Sequence, residues 1–105
     1  MNWTVSEQKI RSYLLNIHHR EGRSKARFFL ARGFRDAEWG VFGQALRQHP
    51  IANAIAEEAT TEYGRKFVVQ CELQTPDGRN PCIRTVWMVE TDASPRLITA
   101  YPAER

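Results

Sequence analysis

KFVVQCELQTPDGRNPCIRTVWMVE, residues 66–90, decides the fold. Its first part alternates. Phe67, Val69, Cys71 and Leu73 fall on one side, and Lys66, Val68, Gln70 and Glu72 on the other. A period of two marks a strand with one face in a core. TPDGR is a turn, because Pro76 pre-sets its own φ and Gly78 is free to go left-handed. CIRTVWMVE is the return strand. Setting Thr75 opposite Arg79 puts Phe67 against Trp87, Val69 against Thr85 and Cys71 against Ile83, all on one face. In that register Cys71 and Cys82 point to opposite faces, which disulfide geometry forbids. Two unbridged thiols fit a reduced, cytoplasmic setting and are too few for a metal motif.

Working toward the C-terminus, TDASP turns again and RLITAYP is a third strand, ended by Pro102. Its register is open between two alternatives. If Ile98 and Ala100 face the helices, Thr99 and Tyr101 share a face with Arg84. A slip of one residue sends Thr99 and Tyr101 into the core instead.

Working toward the N-terminus, the period changes before Tyr63-Gly64. IANAIAEEA suggests a short fourth helix. AEWGVFGQALRQ reads as a third helix capped by Asp36, with a stripe of Trp39, Phe42 and Leu46 and Pro50 following it. KARFFLAR reads as a second helix capped by Ser24 and stopped by Gly33. Thr4 and Glu7 stand at capping-box spacing, and Ile10, Tyr13, Leu14 and Ile17 recur helically, which predicts a first helix from Val5 to Leu15. Trp3, Trp39 and Trp87 read as core or rim. The fold class is therefore α+β: N-terminal helices packed on one face of a three- to four-stranded antiparallel β-meander, one domain over residues 1–105.

The chain has 105 residues, 42% of them hydrophobic, enough for one small core. A formal charge of +3 favours an anionic partner only slightly. No apolar run approaches the ~20 residues of a membrane span. The start, MNWTVSEQK, has no charged segment followed by an apolar one, so no signal peptide is expected. The chain carries no Walker loop, dinucleotide fingerprint, HExxH or nucleophile elbow.

Chemistry-bearing residues crowd into NIHHREGRSKARFF, residues 16–29. His18 and His19 sit in a polar loop, and a histidine there can serve as general base or acid. Lys25 and Arg27 open a helix whose start can seat an anion. Arg84, in mid-strand, is either half of an ion pair with Glu72 or Glu90 or a substrate contact. The sheet face away from the helices carries Lys66, Gln70, Glu72, Arg84, Val86 and Met88, joined by Thr99 and Tyr101 in the first register.

YLLNIHHREGRSKARFFLARGF, Tyr13 to Phe34, resembles the opening motif of a bacterial domain family, DUF6883-like, found as small free-standing proteins and as tips of polymorphic toxins. YGRKFVV (Tyr63 to Val69), PDGR (Pro76 to Arg79), RTVW (Arg84 to Trp87) and PRLITAYP (Pro95 to Pro102) continue the resemblance in order. Such tips look like barnase–EndoU–colicin–RelE (BECR) ribonucleases, with helices on one sheet face and RNA on the other. The resemblance implies a metal-independent endoribonuclease of toxin type with His19, Lys25, Arg84, Thr99 and Tyr101 as catalytic residues. It implies no cofactor, RNA as substrate, and an immunity or antitoxin protein as partner. The family often has proline after the loop histidine. Here Arg20 follows His19 and His18 precedes it, so either histidine fits the motif position. The same residues fit a second class, a non-catalytic nucleic-acid- or protein-binding module, for example one component of a toxin–antitoxin pair.

Overall fold

The computed structural model describes residues 2–90 and 93–104. Its centre is the antiparallel pair read first from the sequence. Strand β2 (Gly64–Glu72) pairs with β3 (Cys82–Val89), and Phe67 faces Trp87, Val69 faces Thr85 and Cys71 faces Ile83. The expected register holds over the whole ladder. Strand β4 (Arg96–Pro102) pairs with the far side of β3. Ala100 stands opposite Thr85 in the core, which puts Tyr101 opposite Arg84 and Thr99 opposite Val86. A bulge between Val86 and Trp87 absorbs Ile98, so Leu97, not Ile98, opposes Trp87 and is buried. No disulfide joins Cys71 to Cys82.

IANAIAEEA is not a fourth helix. Ile55–Thr61 is strand β1, an edge strand hairpinned onto β2, and the sheet order is β1-β2-β3-β4. Alanine and glutamate favour helix locally, but every residue of Ile55–Thr60 is exposed and the segment is held by its ladder instead. Gly64 makes the hairpin's close approach: its φ is 134°, and a Cβ there would lie 2.2 Å from the Val89 carbonyl oxygen. Glu57 and Glu58 pair with Arg84 and Arg65, and these charges blunt the open edge.

The helices cover one sheet face. An α-helical turn (Glu7–Lys9) runs into a π-helical segment (Ile10–Leu14), together α1, closed by the Leu15 N–H donating to Ile10 O at 2.8 Å. The cap is Ser6, whose hydroxyl accepts the Lys9 N–H, and not Thr4. Thr4 instead bridges Arg96 in parallel. Helix α2 (Arg23–Ala31) starts at Gly22 with no side-chain cap, so Ser24 lies inside it. It ends in a Schellman motif, with Phe34 N–H donating to Phe29 O and Gly33 N–H to Leu30 O, and Gly33 at φ 101°. A 3₁₀ turn (Asp36–Glu38) leads into α3 (Trp39–Ala52). Asp36 does not cap it; its carboxylate takes two hydrogen bonds from Arg11. Pro50 sits within the last turn of α3 rather than after it.

Ile10, Leu14, Phe29, Phe42 and Leu46 from the helices meet Phe67, Val69, Ile83 and Trp87 from the sheet. Trp3 packs edge-on against Trp87 at 5.1 Å, and Trp39 lies half-buried at the rim. Truncating Trp87 would cost about 3–5 kcal/mol.

Candidate functional site

The loop after α1 folds back on α1 itself. The Tyr13 ring is its platform. His19 meets it edge-on with centroids 4.9 Å apart, and the ammonium groups of Lys9 and Lys25 stand 5.1 and 5.6 Å from its centroid. The close fit needs a glycine. A Cβ on Gly22 would lie 2.5 Å from Tyr13 O and 2.8 Å from its Cδ1. Gly22 is therefore a packing requirement.

His19 is held by the backbone. Its Nδ1 accepts the N–H of Glu21 at 3.1 Å and of Gly22 at 3.0 Å. With Nδ1 accepting, the neutral ring carries its proton on Nε2 and presents a donor. His18 is exposed; its backbone N–H donates to Asn16 Oδ1. Of the two histidines, His19 is the one in contact with Tyr13. A cavity of about 410 Å³ opens beside it, lined by Ser6, Gln8, Lys9, Ser12, Tyr13 and His19.

Tyr13 also joins this cluster to the sheet. Its hydroxyl lies 3.1 Å from Thr99 Oγ1 on the edge strand β4. Thus His19, Lys25 and Thr99 all gather around Tyr13. Tyr101 follows on the same side of β4, opposite Arg84. Arg84 is drawn the other way, toward β1, where its guanidinium pairs with Glu57. Of the expected partners, Glu90 binds Arg96 at 2.9 Å, and Glu57, which Arg84 reaches, sits in the segment that reads as helix from sequence. The far sheet face is no empty platform. Val68 and Val86 are buried in it, and Gln70 donates to the carbonyl of Glu104 at 2.9 Å.

Two residues of consequence lie outside the sequence-based set. Tyr13 reads as one more position of a helical stripe; the signal is a polar-tipped aromatic just before a histidine loop. His49, on α3, is buried in a polar chain. The Trp87 indole N–H donates to Thr85 Oγ1 at 2.8 Å, Thr85 lies 2.9 Å from His49 Nδ1, and His49 Nε2 lies 2.8 Å from Cys71 O. The carbonyl can only accept, so Nε2 carries the proton and Nδ1 accepts from Thr85. Burial pushes the His49 pKa below its ordinary value, against smaller opposing contributions from the backbone hydrogen bonds. Among the described residues no three of His, Cys, Asp and Glu gather as a metal site. None of the described helices is long and apolar enough to cross a membrane.

No curated protein matches the chain. Among solved structures, the fold is similar to a chain of the contact-dependent growth inhibition toxin–immunity protein complex from Klebsiella pneumoniae 342. The TM-score is 0.78 at 21% identity, over 97% of this chain and 94% of the other. At that identity the likeness is one of fold. A family model matches residues 2–104, nearly the whole α+β unit just described, and the chain belongs to that family, Domain of unknown function (DUF6883).

Proposed function

We propose that the chain is a toxin-type domain that binds RNA and cleaves it by metal-independent transesterification at the cluster around Tyr13. The observation that carries the reading is a pinned His19, with Nε2 as donor, beside two lysines and the paired hydroxyls of Tyr13 and Thr99. In the reaction the ribose 2′-oxygen bonds to phosphorus, the bond from phosphorus to the 5′-oxygen breaks, and one proton moves from the first oxygen to the second. The products are a cyclic phosphate and a free 5′-hydroxyl. His19 donates from Nε2 to the developing oxyanion, as a neutral imidazole can. Lys25 and Lys9 add positive charge, and the Tyr13–Thr99 hydroxyls relay the proton. DNA lacks the 2′-hydroxyl and does not react. The fold shared with a chain of a toxin–immunity protein complex supports the toxin part of the reading and, with it, a cognate immunity protein as partner.

The test is incubation of the chain and His19→Ala with total RNA and tRNA in chelator. We expect cleavage by the first and a loss of about 10²–10⁴-fold in the second. An intact wild-type fold that cleaves no RNA overturns the enzyme. A non-catalytic binding module is then the reading, favoured by Arg84, whose guanidinium is engaged by Glu57 rather than left for phosphate.

A further inference from the structure

The cations of this chain are unevenly paired. Arg11, Arg35, Arg65, Arg79, Arg84 and Arg96 each reach a carboxylate. Arg20, Arg23 and Arg27 are exposed and, among the described residues, reach none. These three are also close in sequence. The Arg23 N–H donates to His19 O at 2.9 Å and the Ala26 N–H to Gly22 O at 2.8 Å, so the helical turn of α2 reaches back into the loop. Residues three and four apart on such a turn share one face. Arg23 and Arg27 therefore share a face of α2, and Arg20, in the turn closed by the Arg23 N–H to His19 O bond, precedes them.

The chemistry of the stretch selects its ligand. From Arg20 to Ala31 the exposed residues are Arg20, Glu21, Arg23, Ser24, Arg27 and Ala31, none of them a large apolar side chain. A protein partner needs an apolar centre to bury. A polyanion needs only repeated cations, and guanidinium binds phosphate through two parallel N–H bonds. His19 and Lys25, from the same stretch of chain, lie against Tyr13.

We infer that Arg20, Arg23 and Arg27 are a track for the backbone of a single nucleic-acid strand, which they grip by its phosphates and lead to His19 and Tyr13. What happens at the end of the track rests on the ribonuclease reading; the track itself does not. Phosphate contacts carry no base information, so the track is indifferent to sequence and favours strands longer than a dinucleotide.

The experiment compares the full chain with two triple variants of equal charge loss. One is Arg20→Gln, Arg23→Gln and Arg27→Gln; the other is Arg35→Gln, Arg65→Gln and Arg79→Gln. Glutamine keeps helix propensity near that of arginine. Binding to a fluorescent single-stranded DNA, which cannot be cleaved by this chemistry, is read by anisotropy across a salt series. The track variant should bind on the order of tenfold more weakly, and its slope of log K against log salt should be shallower by about 2. The control variant should keep most of the slope. With RNA, the track variant should raise KM for a long strand by a larger factor than KM for a dinucleotide. Equal slopes in the two variants, or no binding by wild type at low salt, overturn the track. DNA binding that depends on the track without any RNA cleavage keeps the track and overturns the ribonuclease.

Discussion

His19 and His49 are both held by hydrogen bonds to backbone groups, yet they are placed for opposite ends. His49 spends both nitrogens inside the core, one on Thr85 and one on the Cys71 carbonyl. His19 spends only Nδ1, on the N–H groups of Glu21 and Gly22, and its Nε2 is left for something outside. The difference teaches that holding a histidine still is not by itself a sign of function. What separates the two sites is whether a nitrogen remains after the fold has taken its share.

The largest effect is expected at His49. His49→Ala would remove the acceptor of the Thr85 hydroxyl and a donor to the Cys71 carbonyl and leave a cavity, a loss of about 3–5 kcal/mol in chemical unfolding. A change below about 1 kcal/mol would show that the buried chain is not structural. The same residue sets a pH dependence. In the unfolded chain His49 protonates near pH 6.5, while burial lowers its pKa in the fold. Below that pH the unfolded state binds a proton the native state refuses, so stability is full above it and falls as pH drops toward the folded value. The slope should reach at most about 1.4 kcal/mol per pH unit and should be absent from His49→Gln.

At His19 the effect on the fold is smaller and separable. Removing the acceptor for two loop N–H groups costs about 1 kcal/mol in His19→Ala. His19→Asn should recover most of that, because its side-chain oxygen can accept the same bonds, while RNA cleavage stays lost. Cleavage by the asparagine variant at the wild-type rate would reduce His19 to a cap. Tyr13→Phe, which deletes only the hydroxyl facing Thr99, should cost about 0.5–1.5 kcal/mol and weaken cleavage without moving the loop. Glu57→Gln should cost less than about 1 kcal/mol, the ordinary worth of an exposed pair, and should release Arg84 from β1. Tighter RNA binding in that variant would bring Arg84 back to the site.

How much of this was legible follows from where side chains carry the pattern. β2 and β3 are readable because Phe67, Val69, Thr85 and Trp87 must all face the core, and one turn then fixes the pairing. β1 is unreadable for the opposite reason. Nothing on Ile55–Thr60 is buried, so its alanines and glutamates report local helix preference and not the ladder. Glu57 as the partner of Arg84 was hidden with it. Of the site, the histidine loop stands out in the sequence by composition, but its anchor does not. Tyr13 has the spacing of a core residue, and only the fold shows that its hydroxyl reaches β4. His49 gives no signal at all, since a polar residue near Pro50 reads as a helix end.

The N-terminal arm has a consequence for the order of folding. Thr4 N–H donates to Pro95 O and Leu97 N–H to Thr4 O, with Trp3 laid on Trp87, so almost the full length of the chain is looped between the two partners. Such a contact repays its closure entropy only after the meander exists to receive it. The arm is thus the latest part to dock and the first to let go. The Leu97 amide, whose N–H donates to Thr4 O, should exchange with solvent faster than the Thr85 or Ala100 amides in the same sheet. Its exchange rate is a direct reading of how often the arm is open.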